Sequence, residues 1–171
     1  MDQKVIVGGM QAGVTIAEPG KRAVIVMDQE GRHLAEYDHQ LFRHPFRITS
    51  TTNGNIFVVD SLMEAVGKVV VLDRKGNVLD IYNGHPNPFY QEKPLEPKGI
   101  LATPADNVIV CYSTNNVIHV LNFEGHNIAF FKTDELRIFR PFCLAMSTPG
   151  HFYIYFYLCT IKDSSPETEK T

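Results

Sequence analysis

The sequence predicts an all-β protein assembled from a repeated four-stranded antiparallel unit. Three observations support this prediction. Short apolar runs bounded by turn residues recur along the 171 residues, no long segment follows the 3.6-residue period of an amphipathic helix, and one hairpin pattern returns at a nearly constant spacing. Four strands in a period of about 40 to 50 residues are typical of a β-propeller blade.

The repeated hairpin consists of an apolar run, an Asp or Asn, two intervening residues and a Gly, followed by a second β-like stretch. Segments 24–31, 69–76 and 118–125 follow this pattern, and their glycines recur after 45 and 49 residues. The Asp or Asn can accept a backbone hydrogen bond within the turn, and the Gly can adopt the positive φ that closes it. The predicted structural turn residues are Asp28, Gly31, Asp73, Gly76, Asn122 and Gly125.

A second pair of strands, opened by a proline, precedes each of the last two hairpins. These pairs start at Pro45 and Pro97, and a third copy starts at Pro141 without a following hairpin. Runs such as 56–59 are apolar at every position, which is expected for a sheet covered on both faces by neighbouring sheets. Stacked blades are therefore favoured over a single meander.

This spacing predicts an open, partial β-propeller of about three blades. Closed propellers have at least four blades. The predicted units are an incomplete blade with its last three strands at 1–40, complete blades at 45–82 and 97–131, the first two strands of a further blade at 141–158, and a tail at 161–171. The tail is rich in Ser, Thr, Glu and Lys and is expected to be disordered.

The blades resemble a known repeat. The pattern Pro-x-x-Ile, Gly-Asn-Ile-Phe-Val-Val-Asp and Gly-Lys-Val-Val-Val-Leu-Asp-Arg-Lys-Gly within 45–82 resembles the NHL repeat, 97–131 follows it well, and the ends follow it more weakly. The resemblance extends over about 5–158. It is similar to the C-terminal propeller of tripartite-motif (TRIM) proteins, although Tyr112 stands where the repeat at 45–82 has Asp60.

The resemblance implies a function. In tripartite-motif proteins the propeller recognises protein or RNA partners, and ubiquitin transfer belongs to a RING domain. This chain has no RING or B-box cysteines. It is therefore expected to be a non-catalytic interaction module that binds a protein partner, as in the substrate-recognition part of such ubiquitin ligases, with no cofactor and no metal.

Composition and short sequence features limit the partners and the cellular location that are expected. A net charge of −3 and a pI of about 6.1 argue against non-specific binding of a phosphate backbone by the whole molecule. The three cysteines form no Cys-x-x-Cys pair, the N-terminus lacks signal-peptide features, and the longest apolar run, 152–159, is too short for a membrane helix. A reducing, cytoplasmic location and no membrane association are expected.

The residues that enter the first strand of each blade, and the loops beside them, are the candidates for partner binding. They are Arg43, Arg47, Lys98, Tyr112, Asn115, Arg137 and Arg140. Arginine and aromatic groups together suit either a protein surface or single-stranded RNA, while scattered solvated charge is the ordinary alternative. The sequence does not separate protein binding from RNA binding.

Two further hypotheses remain. A metal-dependent propeller enzyme, such as a lactonase or lyase, would need convergent ligands in the channel, and only Asp60 and Asp106 are candidates. The apolar, uncharged strand at 152–158 would pair with another chain if its edge were exposed. Self-association through blade edges is therefore also expected.

Overall fold

The computed structural model describes residues 4–10, 20–38, 40–63, 66–84, 95–147 and 151–156. The predicted tail at 161–171, and parts of the predicted blades at 1–40 and 141–158, lie outside the described residues.

The described residues form strands and one short 3-10 helix. The strands are β1 (Val5–Met10), β2 (Arg22–Met27), β3 (His33–Asp38), β4 (Pro45–Ser50), β5 (Ile56–Met63), β6 (Val66–Leu72), β7 (Val78–Tyr82), β8 (Pro97–Ala102), β9 (Val108–Tyr112), β10 (Val117–Leu121), β11 (Asn127–Lys132), β12 (Pro141–Met146) and β13 (Phe152–Phe156). The 3-10 helix is Asp134–Leu136. Within these residues no helix is long and apolar enough to cross a bilayer.

The strands form four antiparallel sheets in chain order. Two have four strands, β4-β5-β6-β7 and β8-β9-β10-β11, while β1-β2-β3 has three and β12-β13 has two. The prediction of an all-β fold with four-stranded antiparallel sheets is confirmed.

The sheets pack side by side through their first strands. β4 contacts β8, and β8 contacts β12, while β1 takes the corresponding place against β4. Glycines permit this approach, because a Cβ at Gly99 would lie 2.9 Å from the carbonyl oxygen of Phe142, and one at Gly8 would lie 2.8 Å from that of Pro45. These inner strands therefore line the concave side of the arc.

The core lies between the sheets. In β5, Phe57 and Val59 pack into the cluster shared with β9 and β10, whereas Ile56 and Val58 pack into the cluster shared with β2. Because both faces of the sheet are covered, consecutive residues are all buried. This explains why the strand is apolar at every position instead of alternating.

Each sheet has two distinct ends. The tight turns that join first to second strands and third to fourth strands, such as 51–55 and 73–77, form what we name the turn end. The segments that lead into β4, β8 and β12, together with the β9–β10 loop, form the entry end.

The turn end contains the predicted turn residues. Gly31, Gly76 and Gly125 have φ of 78°, 89° and 102°, and each N–H donates to the carbonyl oxygen three residues earlier, that of Asp28, Asp73 or Asn122, at 3.0 to 3.1 Å. The side-chain oxygens of all three Asp and Asn residues also accept backbone N–H groups of their own turns. These turns therefore satisfy their own backbone polar groups.

Adjacent blades are also joined at the turn end. The carboxylate of Asp106 accepts hydrogen bonds from the backbone N–H and the hydroxyl of Thr52, both at 2.6 Å. The amide of Asn55 donates to the carbonyl oxygen of Phe123 at 2.8 Å. These bonds connect the second sheet to the third.

We expect acid to weaken the Asp106 contact. Hydrogen bonds from Thr52, the hydroxyl first and then the N–H, hold the pKa of Asp106 below its ordinary value of 3.8. A carboxyl group with a lowered folded-state pKa stabilises the fold above the unfolded pKa and loses that contribution as pH falls through the folded pKa. Thermal unfolding followed at several pH values from about 6 to about 3 should therefore show a shallower decline for Asp106→Asn than for the wild type.

Thr52→Ala provides the matched test, because it removes the hydroxyl donor and leaves the carboxyl group in place. It should reproduce part of the shallower decline. Equal slopes for the wild type and Asp106→Asn would contradict this account of the contact.

Candidate binding site at the entry end

The same irregularity recurs near the start of three of the inner strands, β4, β8 and β12. The pairing register shifts between Pro45 and Arg47 in β4, and at the equivalent places in β8 and β12. A bulge of this kind takes one residue out of the ladder and redirects its side chain. The residues in the three bulges are Phe46, Lys98 and Phe142.

A pocket of about 250 Å³ lies at the entry end between the third and fourth sheets. Its lining residues are Glu96, Lys98, Ser113, Arg140 and Phe142. Glu96 and Ser113 are 8% and 3% exposed, so their polar groups sit in the wall and not on open surface. The Lys98 ammonium lies 2.5 Å from a carboxylate oxygen of Glu96, and the Ser113 N–H donates to the Glu96 carbonyl at 3.2 Å.

Asn116 holds the rim of this pocket. Its side-chain oxygen accepts the N–H of Arg140 at 2.7 Å, and its carbonyl oxygen accepts that of Thr133 at 2.8 Å. Asn116, Arg137 and Arg140 have φ of 52°, 58° and 52°, a left-handed conformation that costs non-glycine residues energy. Strained backbone of this kind persists only where its surroundings hold it, and it concentrates at binding and catalytic sites.

An aromatic ring beside the pocket is in contact with cations. The Arg47 guanidinium lies 4.7 Å from the centroid of Phe46, and the Lys98 ammonium lies 5.9 Å from it. The His44 ring is 5.7 Å away. Cation–π attraction therefore helps to position Arg47 and Lys98 along the inner strands.

Asp60 anchors the segment that enters β4. One carboxylate oxygen accepts the N–H groups of Arg43 and His44 at 2.8 and 2.7 Å. The other oxygen has no hydrogen-bond partner among the described residues and lies 3.8 Å from the Lys68 ammonium. Burial raises the pKa of Asp60, and the two N–H groups and Lys68 oppose that shift.

The two carboxylates considered for a channel cation lie at opposite ends of their sheets. Asp60 lies in the second half of β5, toward the entry end, whereas Asp106 precedes β9 at the turn end. In the part of the chain that the structure describes, no group of three or more His, Cys, Asp or Glu residues is placed to hold a metal ion. Asp60 and Asp106 act instead on the backbone around them.

The predicted partner-binding residues differ in exposure. Arg43, Arg47, Arg137 and Arg140 are exposed, and Lys98 and Asn115 are half-buried. All six belong to the entry end, and Lys98 and Arg140 line the same pocket.

Tyr112 differs from the prediction, since it is only 1% exposed and its ring cannot meet a partner. It ends β9 within the core, 4.6 Å between ring centroids from His119, whose Nδ1 lies 2.7 Å from the hydroxyl of Tyr82. Burial raises the pKa of Tyr112 well above its ordinary value. The adjacent sheet covers the position, and a single repeat does not reveal this.

Sequence reasoning missed several residues of this site. They are Phe46, Glu96, Ser113, Asn116 and Phe142, although the loop 113–116 as a whole was expected at this end of the sheets. Phe46 and Phe142 follow the opening prolines as Lys98 does, so comparison of the repeats could have found them. No comparable signal marks Glu96, Ser113 or Asn116, because their roles depend on contacts between loops.

Comparison with known proteins shows the fold. No protein-family profile and no curated protein matches the chain. Solved structures do match. A protein of unknown function from Bacteroides caccae is 14% identical with a TM-score of 0.58, and the match covers 92% of this chain and 52% of that one. Virginiamycin B lyase from Staphylococcus aureus is 14% identical (TM-score 0.57; 90% of this chain, 54% of that one), and a streptogramin B lyase is 16% identical (TM-score 0.56; 90% of this chain, 52% of that one). The predicted partial β-propeller is confirmed, and the chain spans about half the length of these structures.

These neighbours also correct one expectation. The chain was expected to be non-catalytic, because it resembles interaction propellers and its sequence has neither RING cysteines nor a catalytic constellation. Two of the matched structures are lyases, so the fold that this chain shares with them supports catalysis in other proteins. The expectation of a non-catalytic protein is therefore wrong as an inference from this fold.

Proposed function

We propose that this chain binds a protein partner through its entry end, in the manner of the NHL-type propellers of TRIM-like proteins that recognise substrates in a reducing, cytoplasmic setting. The observation that supports the proposal is the grouping of cations from successive blades at one end of the arc. Arg43 lies in the segment entering the second sheet and Arg47 in its first strand, while Lys98 lies in the third sheet and Arg140 in the segment entering the fourth.

The backbone beneath these cations is ordered by specific contacts. The carboxylate of Asp60 holds the N–H of Arg43, and the side chain of Asn116 holds that of Arg140. A surface whose loops are already fixed loses less conformational entropy on association. Exposed arginines on a fixed backbone are also frequent energetic centres of protein interfaces.

Single-stranded RNA is the second candidate, favoured by the ring of Phe46 among cations. Bases stack on exposed aromatic rings in such proteins. Here the Arg47 guanidinium lies over the ring at 4.7 Å, so a stacking base would have to displace it. That competition, together with the overall charge of −3, favours a protein partner.

Charge reversal tests the proposal. In Arg43→Glu/Arg47→Glu, like charges would face an acidic partner, and we expect capture to fall by about tenfold or more. The matched control is Arg74→Glu/Lys75→Glu, which makes the same charge change at exposed positions of the turn end. The three purified proteins serve as baits, and bound proteins are quantified by mass spectrometry.

Binding of a labelled oligouridine RNA, measured by fluorescence anisotropy with the same three proteins, separates the two candidates. Protein capture that is lost only in the entry-end variant supports the proposal. RNA binding that depends on Arg43 and Arg47, without selective protein capture, would replace it by the RNA alternative. Equal capture by all three baits would reject the entry end as the binding surface.

A further inference from the structure

The pocket at the entry end is smaller than a typical small-molecule site. Its volume of about 250 Å³ falls below the roughly 300 to 1,000 Å³ of sites that enclose drug-sized molecules. The pocket has room for an amino-acid side chain or a chain end, and the remainder of a bound polypeptide would lie across the surrounding surface.

The charges of the lining favour an anion. Among the described lining residues, Lys98 and Arg140 contribute two positive charges and Glu96 one negative charge, a net charge of +1. Glu96 is buried and already contacts Lys98, which orients the ammonium in the wall. A guanidinium such as that of Arg140 recognises a planar carboxylate with two parallel hydrogen bonds.

The other walls suit the stem of an acidic residue. Phe142 supplies an apolar ring for methylene groups, and Ser113 supplies a hydroxyl that can donate to an anion. The rim is held open by Asn116 through the N–H of Arg140, in backbone that is strained at both residues. The site is therefore organised before any ligand arrives.

We infer that this pocket is a carboxylate-recognition site that receives either an Asp or Glu side chain or the C-terminal carboxylate of a bound polypeptide. This inference rests on the proposed function, since it names the group of the partner that the entry end recognises. Arg140 pairs with the carboxylate, Lys98 and Ser113 assist, and Phe142 packs against the adjoining methylene groups.

Three peptides distinguish the sources of the carboxylate. Acetyl-Gly-Gly-Glu-Gly-Gly-amide offers only a side-chain carboxylate, acetyl-Gly-Gly-Gln-Gly-Gly offers only a chain end, and acetyl-Gly-Gly-Gln-Gly-Gly-amide offers neither. Titration into the full chain is followed by NMR at the backbone amides of Ser113 and Arg140. We expect one or both carboxylate peptides to shift these signals and the uncharged peptide to leave them in place.

Two variants act in opposite directions. Arg140→Gln should weaken carboxylate binding by about tenfold, because the charge-assisted pair is lost. Glu96→Gln should strengthen it by about threefold, because a like charge is removed from the wall. Lys75→Gln, a neutralisation at an exposed position of the turn end, should bind as the wild type does.

The gain with Glu96→Gln cannot arise from damage to the fold, so it keeps the test decisive if Arg140→Gln is unstable. Equal shifts with all three peptides, no shift with any, or unchanged affinity in both variants would overturn the carboxylate site. If the peptides fail but Arg43→Glu/Arg47→Glu still abolishes partner capture, the proposed function stands and only this pocket assignment is wrong. If the peptides bind and that charge reversal has no effect on capture, the pocket assignment stands and the proposed function is wrong.

Discussion

Gly76→Ala should lower the free energy of unfolding by about 2 to 4 kcal/mol, whereas Gly31→Ala should cost only about 1 kcal/mol. Both glycines close the same kind of turn with positive φ, at 89° and 78°. They differ in what a methyl group would meet. A Cβ at Gly76 would lie 2.1 Å from the ring of Tyr37 in the preceding sheet, whereas one at Gly31 would have nothing within 4 Å.

Tyr37 cannot move aside without a loss. Its hydroxyl donates to the carbonyl oxygen of Arg74, in the same turn as Gly76, at 2.9 Å. The added methyl group must therefore displace either the ring or the turn, and either change breaks the contact between two blades. The difference between the two variants measures the packing of blade on blade, because the cost of positive φ is common to both.

Urea denaturation of the wild type and both variants gives the two free energies. A difference within about 0.5 kcal/mol, the usual error of additivity, would show that the turn of Gly76 does not pack on the preceding sheet. Tyr37→Ala combined with Gly76→Ala is the internal control. Removing the ring should recover most of the excess cost of the glycine substitution.

Asp60→Ala should be the second large effect, with a loss of about 2 to 4 kcal/mol, because two backbone N–H groups lose their buried acceptor. Those groups belong to Arg43 and His44. Asp60→Asn keeps an acceptor oxygen at the same place and should cost much less. The contrast isolates the hydrogen bonds from the charge, and denaturation at neutral pH measures it.

The pH dependence of Asp60→Asn has a defined sign. Burial raises the pKa of Asp60, so its contribution to stability is fully present below the unfolded pKa and is lost as pH rises through the folded pKa. The asparagine has no such dependence. The stability of Asp60→Asn relative to the wild type should therefore improve from about pH 4 to about pH 7, and a decline over this interval would contradict the raised pKa.

Asp60 also connects stability to the entry end. It fixes the backbone that carries Arg43, one of the cations assigned to partner binding. The alanine variant should consequently weaken partner capture together with stability, while the asparagine variant preserves capture. Loss of capture in both variants would show that partner binding depends on the negative charge of Asp60 and not on the position of the loop.

Much of the fold could be predicted from the sequence because it depends on local chemistry. The hairpin glycines at 31, 76 and 125 stand where a turn needs positive φ, and they adopt it. The uninterrupted apolar run at 56–59 predicted a sheet covered on both sides, and its residues are divided between two core clusters. The prolines at 45, 97 and 141 begin the inner strands β4, β8 and β12.

The candidate site could be predicted only in part. Lys98 and Arg140 stood out by their charge and their place in the repeat, and both line the pocket. Glu96 and Ser113 did not, because they meet through a backbone hydrogen bond between two loops. Tyr112 was assigned to the surface, although β9 ends inside the core at that position.

The sequence by itself determined the strands, the turns and the four-stranded unit, and it placed the candidate partner-binding cations at equivalent positions of successive blades. These features depend on residue type at a repeated spacing, which acts over a few neighbours along the chain. Only the tertiary structure decided which side chains share the pocket, which carboxylate anchors a loop and which aromatic ring is buried. Those outcomes depend on how one blade lies against the next, and the contacts that set this join residues tens of positions apart.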